Sequence, residues 1–326
     1  MPYRSDPPDE SGGSYESECR PGGPYGAEKI LILILFNPVS GGGRAERAAG
    51  SFAASLRAAG HATDLAATQR EAGGDWLAQR LANVSLLVVV GGDGTVRAAS
   101  GAAIRTRTPL YHVPFGTANL FAREFGMDRH ARTLHRAIDR FTVRWVDTGE
   151  ANGEGFVLMA SVGYDAEVVA DLAAHRGRSI SYLSYAGPLL RQLRRWQPAT
   201  IGLTIDGRSL GAPLTRGTVV VANARGYAFG LNPARNADMA DGLLDVVYFP
   251  TASRWQLLTW IVKLRLGGPL EDPAMVVGRG ATVQIECDRP QRLQLDGDAP
   301  DDRTVRTRFS LSVRPRVLPV LEIPDR

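Results

Sequence analysis

The chain has 326 residues, 44% of them hydrophobic and 22% charged, an ordinary globular composition with length for two domains and a core in each. Its formal charge of +4 is a mild basic excess that makes no case for a nucleic-acid partner. Two cysteines, Cys19 and Cys287, support neither a disulfide framework nor a zinc site, and His61, His112, His130, His135 and His175 show no metal-ligand spacing.

Residues 1–28 are rich in Pro, Gly, Ser and acidic side chains and read as a disordered tail. Their start has no basic segment followed by an apolar one, so it is no secretory signal, and a cytoplasmic location is expected. From residue 29 to 147 strand and helix alternate. Strands are expected at Ile30–Phe36, His61–Ala67, Leu86–Val90 and Leu110–Val113, with helices at Ala45–Ala59, Asp75–Leu81 and Thr95–Ile104. Continuous apolar strands separated by helices predict an α/β domain with a mostly parallel sheet, which binds ligands at the carboxyl ends of its strands.

From residue 148 to 307 the texture changes to short strand-like segments split by turns: Phe156–Ser161, Ile201–Ile205, Thr218–Ala222, Leu244–Phe249, Thr282–Glu286 and Arg292–Leu295. Helices are expected only at Ala166–His175, Ser181–Arg195 and Arg254–Leu266. The pattern predicts an antiparallel β-sandwich. Arg308–Ile323, within the closing residues 308–326, reads as a strand pair around Pro315. The longest clean apolar run, Ile30–Phe36, is far short of the ~20 residues a spanning helix needs, so any membrane contact is peripheral. Arg191, Arg194, Arg195 and Trp196 suit either lipid headgroups or a solvated helix face, and Gln256, Thr259 and Lys263 form one polar stripe on an otherwise apolar helix, more often a packed helix than a membrane wedge.

Three glycine-rich turns follow apolar strands. Gly91-Gly92-Asp93-Gly94-Thr95 lies between a strand and a helix, where glycines admit a phosphate close to the backbone and open amides at the helix start favour an anion. Asp93 can orient Mg²⁺ or a reacting hydroxyl, and Thr95 can donate to a phosphate oxygen. Asn37-Pro38-Val39-Ser40-Gly41-Gly42-Gly43 and Pro114-Phe115-Gly116-Thr117-Ala118-Asn119 are the other two. All three fall on one edge of the predicted sheet and converge on one crevice.

Together these segments resemble the diacylglycerol kinase catalytic family, which includes sphingosine, ceramide and bacterial lipid kinases. The resemblance continues through Gly163-Tyr164-Asp165-Ala166, Asp241-Gly242-Leu243-Leu244-Asp245 and Asp296-Gly297-Asp298, in the family's order. It implies an ATP-dependent lipid kinase, with the second domain a β-sandwich for the lipid and the last strands returning to the first domain. It places Asn37, Ser40, Gly41, Gly91, Gly92, Asp93, Gly94, Thr95, Gly116, Thr117 and Asn119 at ATP, with Thr68 near it. It places Asp238, Asp241 and Leu243 at a structural Mg²⁺, Asp238 and Leu243 through their carbonyls. Asp298 takes the proton-acceptor position, with Asp93 as competitor. The implied partner is a lipid at the membrane surface; the oligomeric state, homodimer included, stays open.

The chain departs from the family pattern at four positions: Arg97 and Ala98 after the signature turn, Leu120 where many bacterial members carry Asp, and Asp298 for the usual Glu. Two other readings stand beside the lipid kinase, the first on the shared Gly-Gly-Asp-Gly-Thr turn and the second on these departures. One is a soluble enzyme related to NAD kinase; the other is a nucleotide-binding lipid sensor without turnover.

Overall fold

The computed structural model describes residues 29–69, 75–174, 186–195, 197–210, 216–227, 232–251, 253–265, 275–300, 302 and 304–324. The expectations for residues 1–28, for His175 and for Trp196 lie outside them. The first half alternates as expected: β1 (Leu31–Phe36), α1 (Arg44–Ala58), β2 (Ala62–Ala67), α2 (Asp75–Leu81), β3 (Leu86–Gly91), α3 (Asp93–Thr106) and β4 (Leu110–Pro114). The four strands pair in parallel in the order β4-β3-β1-β2. Every residue of β3 is buried, the burial of a strand with both faces covered.

Two short helices that are not among the expected elements follow, α4 (Leu120–Glu124) and α5 (Ala131–Arg140). Then come β5 (Val143–Ala151), β6 (Glu154–Phe156), β7 (Met159–Val162), α6 (Tyr164–Ala174), α7 (Ala186–Arg195), β8 (Ala199–Ile205), β9 (Arg208–Ser209), β10 (Arg216–Ala222), β11 (Leu244–Pro250), α8 (Arg254–Arg265), β12 (Val276–Gly280), β13 (Thr282–Gln291), β14 (Leu293–Leu295) and β15 (Arg306–Leu321). One layer holds β8, β13, β15 and β5; the other holds β12, β11, β10, β7 and β14, antiparallel within each layer. Ile201, Leu203, Ile285 and Phe309 from the first meet Val162, Val219, Val246 and Tyr248 from the second in one core. On β8 burial alternates residue by residue, the period of a strand with one face inward.

β15 ties the halves together. Its first part pairs with β13 and its last part runs parallel to β4, with Val320 opposite Leu110. The expected strand pair around Pro315 is instead one strand with an irregular register between Arg314 and Leu318. Pro315 has no N–H for the ladder, and Arg316 turns left-handed at φ 49°. Its N–H finds Asp147 Oδ1 at 2.7 Å. The domain boundary expected after Asp147 falls inside β5, which spans that position without a break.

Candidate active site

The turns after β1, β3 and β4 meet at the carboxyl edge of the parallel sheet. After β1, Gly41, Gly42 and Gly43 all have positive φ (60°, 68° and 84°), a run that side chains rarely adopt. Asn37 N–H donates to Val90 O at 3.1 Å, and its side-chain amide lies 3.5 Å from Thr95 Oγ1. Thr68 N–H donates to Phe36 O at 2.8 Å, which puts Thr68 at the same edge. Gly92 and Gly116 are in backbone contact: a Cβ built on Gly116 would lie 2.5 Å from Gly92 Cα. A Cβ on Gly41 would lie 3.2 Å from the Phe115 ring. Asn119 closes its turn by accepting from Gly116 N–H at 2.7 Å and donating to Gly116 O at 2.9 Å. Ser40 sits in the short 3₁₀ turn between β1 and α1, and Thr117 between β4 and α4.

α3 begins at Asp93, two residues earlier than expected, with Gly92 as its cap residue. The first amides of such a helix lack a preceding turn to bond to; here Thr95 N–H turns back to Gly92 O at 2.9 Å. Asp93 Oδ1 accepts from Phe121 N–H at 3.0 Å, so this carboxylate also fixes the start of α4. His112 is fully buried beneath the turn, with Nε2 3.0 Å from Gly91 O. Burial lowers its pKa, partly offset by the charge of Asp93 and by the Gly91 hydrogen bond, and keeps the ring neutral.

Asp298 reaches this turn from the sandwich. A Cβ on Gly94 would stand 2.4 Å from Asp298 Oδ2, so the carboxylate occupies the space that the glycine leaves. Asp298 closes a two-residue hairpin: Leu295 and Asp298 exchange both backbone hydrogen bonds at 2.9 Å, and Asp296 and Gly297 take φ 53° and 83°. Asp296 anchors the hairpin by accepting from the N–H groups of Val157, Leu158 and Met159 at 2.7–2.9 Å. Burial drives its pKa up to about 6, against the pull of those amides and of Arg97. Sequence reading singled out Asp298 and gave its neighbour Asp296 no role. The signal was the bare adjacency of an acid to Gly297, which fits a turn residue equally well.

The remaining expected residues lie in the loop before β11. Asp147, fully buried on β5, donates from N–H to Met239 O and accepts from Gly242 N–H at 2.7 Å. Asp238 pairs with Arg144 at 3.3 Å, and Asp241 pairs with Arg279 while accepting from Leu243 N–H at 3.0 Å. Arg279 also reaches Asp245 at 3.3 Å. Burial raises the Asp245 pKa, the Arg279 guanidinium lowers it, and the Asp241 charge raises it. No three His, Cys, Asp or Glu side chains converge on a metal position among the described residues. The loop still fits a divalent cation in its chemistry. Asp245 Oδ2 is buried without a hydrogen-bond partner, and one guanidinium serves both it and Asp241.

Parallel α/β unit, glycine turns at one edge and an acid delivered from a β-sandwich define a two-domain kinase of the diacylglycerol kinase type. The diacylglycerol kinase catalytic domain matches residues 31–151, and the YegS C-terminal NAD kinase beta sandwich-like domain matches residues 158–322. A diacylglycerol kinase of Mycobacterium tuberculosis is 31% identical over 78% of this chain and 85% of its own length. A probable YegS-like lipid kinase of Pseudomonas aeruginosa is 28% identical over 87% of this chain and 92% of its own. The chain belongs to this lipid kinase family. A putative diacylglycerol kinase structure from Bacillus anthracis shares the fold, with a TM-score of 0.68 at 21% identity, covering 90% of this chain and 98% of that one.

Proposed function

We propose that this chain is an ATP-dependent kinase that transfers the γ-phosphate to the hydroxyl of a diacylglycerol- or sphingolipid-like molecule at a membrane surface. The observation that carries the reading is the seat of Asp298 against Gly94, at the first turn of α3. Phosphoryl transfer asks for positioning and charge stabilisation. Asn37, Ser40, Gly41, Thr68, Gly91, Gly92, Gly94, Thr95, Gly116, Thr117 and Asn119 would line the site that holds the phosphates. Open amides of α3 would take their charge. Asp298 would accept the hydroxyl proton as the new bond forms, with Asp93 beside it.

Mg²⁺ with the nucleotide would supply charge neutralisation at the transferring phosphate. A second Mg²⁺ in the loop before β11 would be held by Asp241 and by the carbonyls of Asp238 and Leu243, with Asp245 next to it. No helix among the described residues is long and apolar enough to cross a membrane. Contact with the bilayer would then be peripheral. Candidates for it are exposed Trp255 and Val262, seven residues apart on α8, and Leu190, Arg194 and Arg195 on α7. Among the α8 side chains described, Trp255, Thr259 and Val262 are exposed, while Gln256 and Lys263 of the expected polar stripe are half-buried. The test is incubation with labelled ATP and a panel of diacylglycerol, monoacylglycerol, ceramide, sphingosine and phosphatidylglycerol in vesicles. Label on at least one lipid is expected; label on NAD and on no lipid overturns the reading.

A further inference from the structure

Beneath the hairpin that carries Asp298 runs a chain of buried hydrogen bonds, and each member donates toward the same carboxylate. Gly297 N–H donates to Gln294 Oε1 at 2.7 Å. Gln294 Nε2 donates to Ser161 Oγ at 2.8 Å. Ser161 Oγ donates to Asp165 Oδ2, and so does Tyr227 O–H. Gln294 and Ser161 are 2% and 1% exposed, so water does not compete for these bonds. Asp165 lies in the first turn of α6, so the chain joins that helix to β7, β14 and the hairpin tip.

We propose that Gln294, oriented by Ser161 and Asp165, is a positioning residue that holds the Asp296–Gly297 turn so that Asp298 stays seated against Gly94. A backbone N–H only donates, so Gly297 requires the oxygen of Gln294. The Nε2 thereby turned to Ser161 donates to Oγ, leaving the Ser161 hydroxyl to donate to Asp165. That fixes the amide of Gln294 with nitrogen toward Ser161 and oxygen toward Gly297. The orientation matters because the turn has two anchors. Asp296 is gripped through its side chain by three amides of the strand entry and through its N–H by Met159 O. Leu295 and Asp298 pair across the turn, but these bonds leave the Gly297 peptide at the tip free to tilt. The Gln294–Gly297 bond lies on the next residue and removes that freedom, one residue from the reacting carboxylate. Inference from this chain rests on Asp298 acting as proton acceptor, as proposed above.

The experiment compares Gln294→Met, near in shape but without polar atoms, with Gln294→Glu, whose carboxyl, kept neutral by burial, offers an acceptor to Gly297 N–H and a donor to Ser161. Steady-state transfer from labelled ATP to the lipid substrate is measured, with the ATP-induced thermal shift of each variant. Gln294→Met is expected to lower kcat by at least ~10-fold with KM for ATP within about twofold of wild type, since misplacement near 1 Å costs that much or more. Gln294→Glu is expected to recover most of the loss. Wild-type kcat in Gln294→Met, or a Glu variant no better than Met, overturns the proposal. Should Gln294→Met fail to fold, Ser161→Ala replaces it: kcat is expected to fall with KM for ATP unchanged, and wild-type kcat overturns the proposal. Asp298→Asn serves as reference. Full activity there refutes the proton-acceptor reading itself, whereas loss there with normal Gln294 and Ser161 variants refutes only the positioning role.

Discussion

Gly94→Ala separates rate from stability. The new methyl carbon would fall 2.4 Å from Asp298 Oδ2, where ordinary contact begins at 3.4 Å, so the carboxylate must retreat by about 1 Å. A displacement of that order at a reacting group costs ~10²-fold in rate, or about 2.7 kcal/mol of activation free energy. Stability should move the other way. Gly94 is the second residue of α3, its φ is not left-handed, and alanine in a helix gains up to about 1 kcal/mol over glycine. The atom that must yield is the end of a side chain rather than backbone, so yielding costs little of the fold. Gly101→Ala, further along the same helix, is the internal control: its methyl would meet Arg105 Nη1 at 3.6 Å, an ordinary contact. Initial rates of phosphate transfer and melting curves are measured on both variants. The expected result is an unchanged or higher Tm in both, with kcat lost only in Gly94→Ala. A Gly94→Ala enzyme with kcat within about twofold of wild type would refute the placement of Asp298 as the working base.

Asp93→Asn keeps an oxygen for Phe121 N–H, so its stability should stay within about 1 kcal/mol of wild type while phosphate transfer to lipid is abolished; retained transfer removes Asp93 from the chemistry. Asp241→Ala should lose both activity and the rise in Tm that added Mg²⁺ produces, and a melting response identical to wild type would refute the loop as a cation site. Asp296 has a folded pKa near 6 against an ordinary 3.8, so its protonated form is favoured by folding. The stabilisation is fully present below pH 3.8 and is lost as pH rises through about 6, by roughly 3 kcal/mol. Chemical denaturation of Asp296→Asn should therefore show a larger deficit against wild type at pH 4 than at pH 7.5; an equal deficit at both would refute it.

The parallel half was legible because β1 and β3 are unbroken apolar runs and its turns need glycine where side chains would clash. Gly92 against Gly116 is the clearest case. α4 was not, since five residues are too few for a periodic signal, whereas α5 carried one that went unread: Thr133, Leu134, Ala137 and Ile138 bury one face at helical spacing. Asp147, read as the last residue of a domain, is buried and holds Gly242 and Arg316, both far downstream in the chain. Such a junction has no sequence signature, because its partners lie 95 and 169 residues away. His112 and Gln294 escaped for the same reason: each bonds a backbone group or hydroxyl remote in sequence, and neither stands in a motif of its own.

The four departures from the family pattern resolve into separate local causes, and they bear on whether the chain turns over. Arg97 pairs with Glu154 and donates to Gly155 O at 3.1 Å, which ties α3 to the β5–β6 hairpin. Ala98 is exposed on α3. Leu120 is buried with its side chain toward Gly226, where an ionised acid would lack a partner. The shorter side chain of Asp298 is likewise matched by its surroundings, because Oδ2 already fills the space over Gly94. Glutamate in its place would carry its carboxylate about 1.5 Å further, a carbon–carbon bond length, into the glycine turn. It would have to fold aside, away from the first turn of α3. Asp298→Asn should accordingly abolish turnover and Asp298→Glu should not exceed the wild-type kcat. A glutamate variant faster than wild type would mean that the natural carboxylate falls short of the substrate, and the sensor reading would then regain its ground.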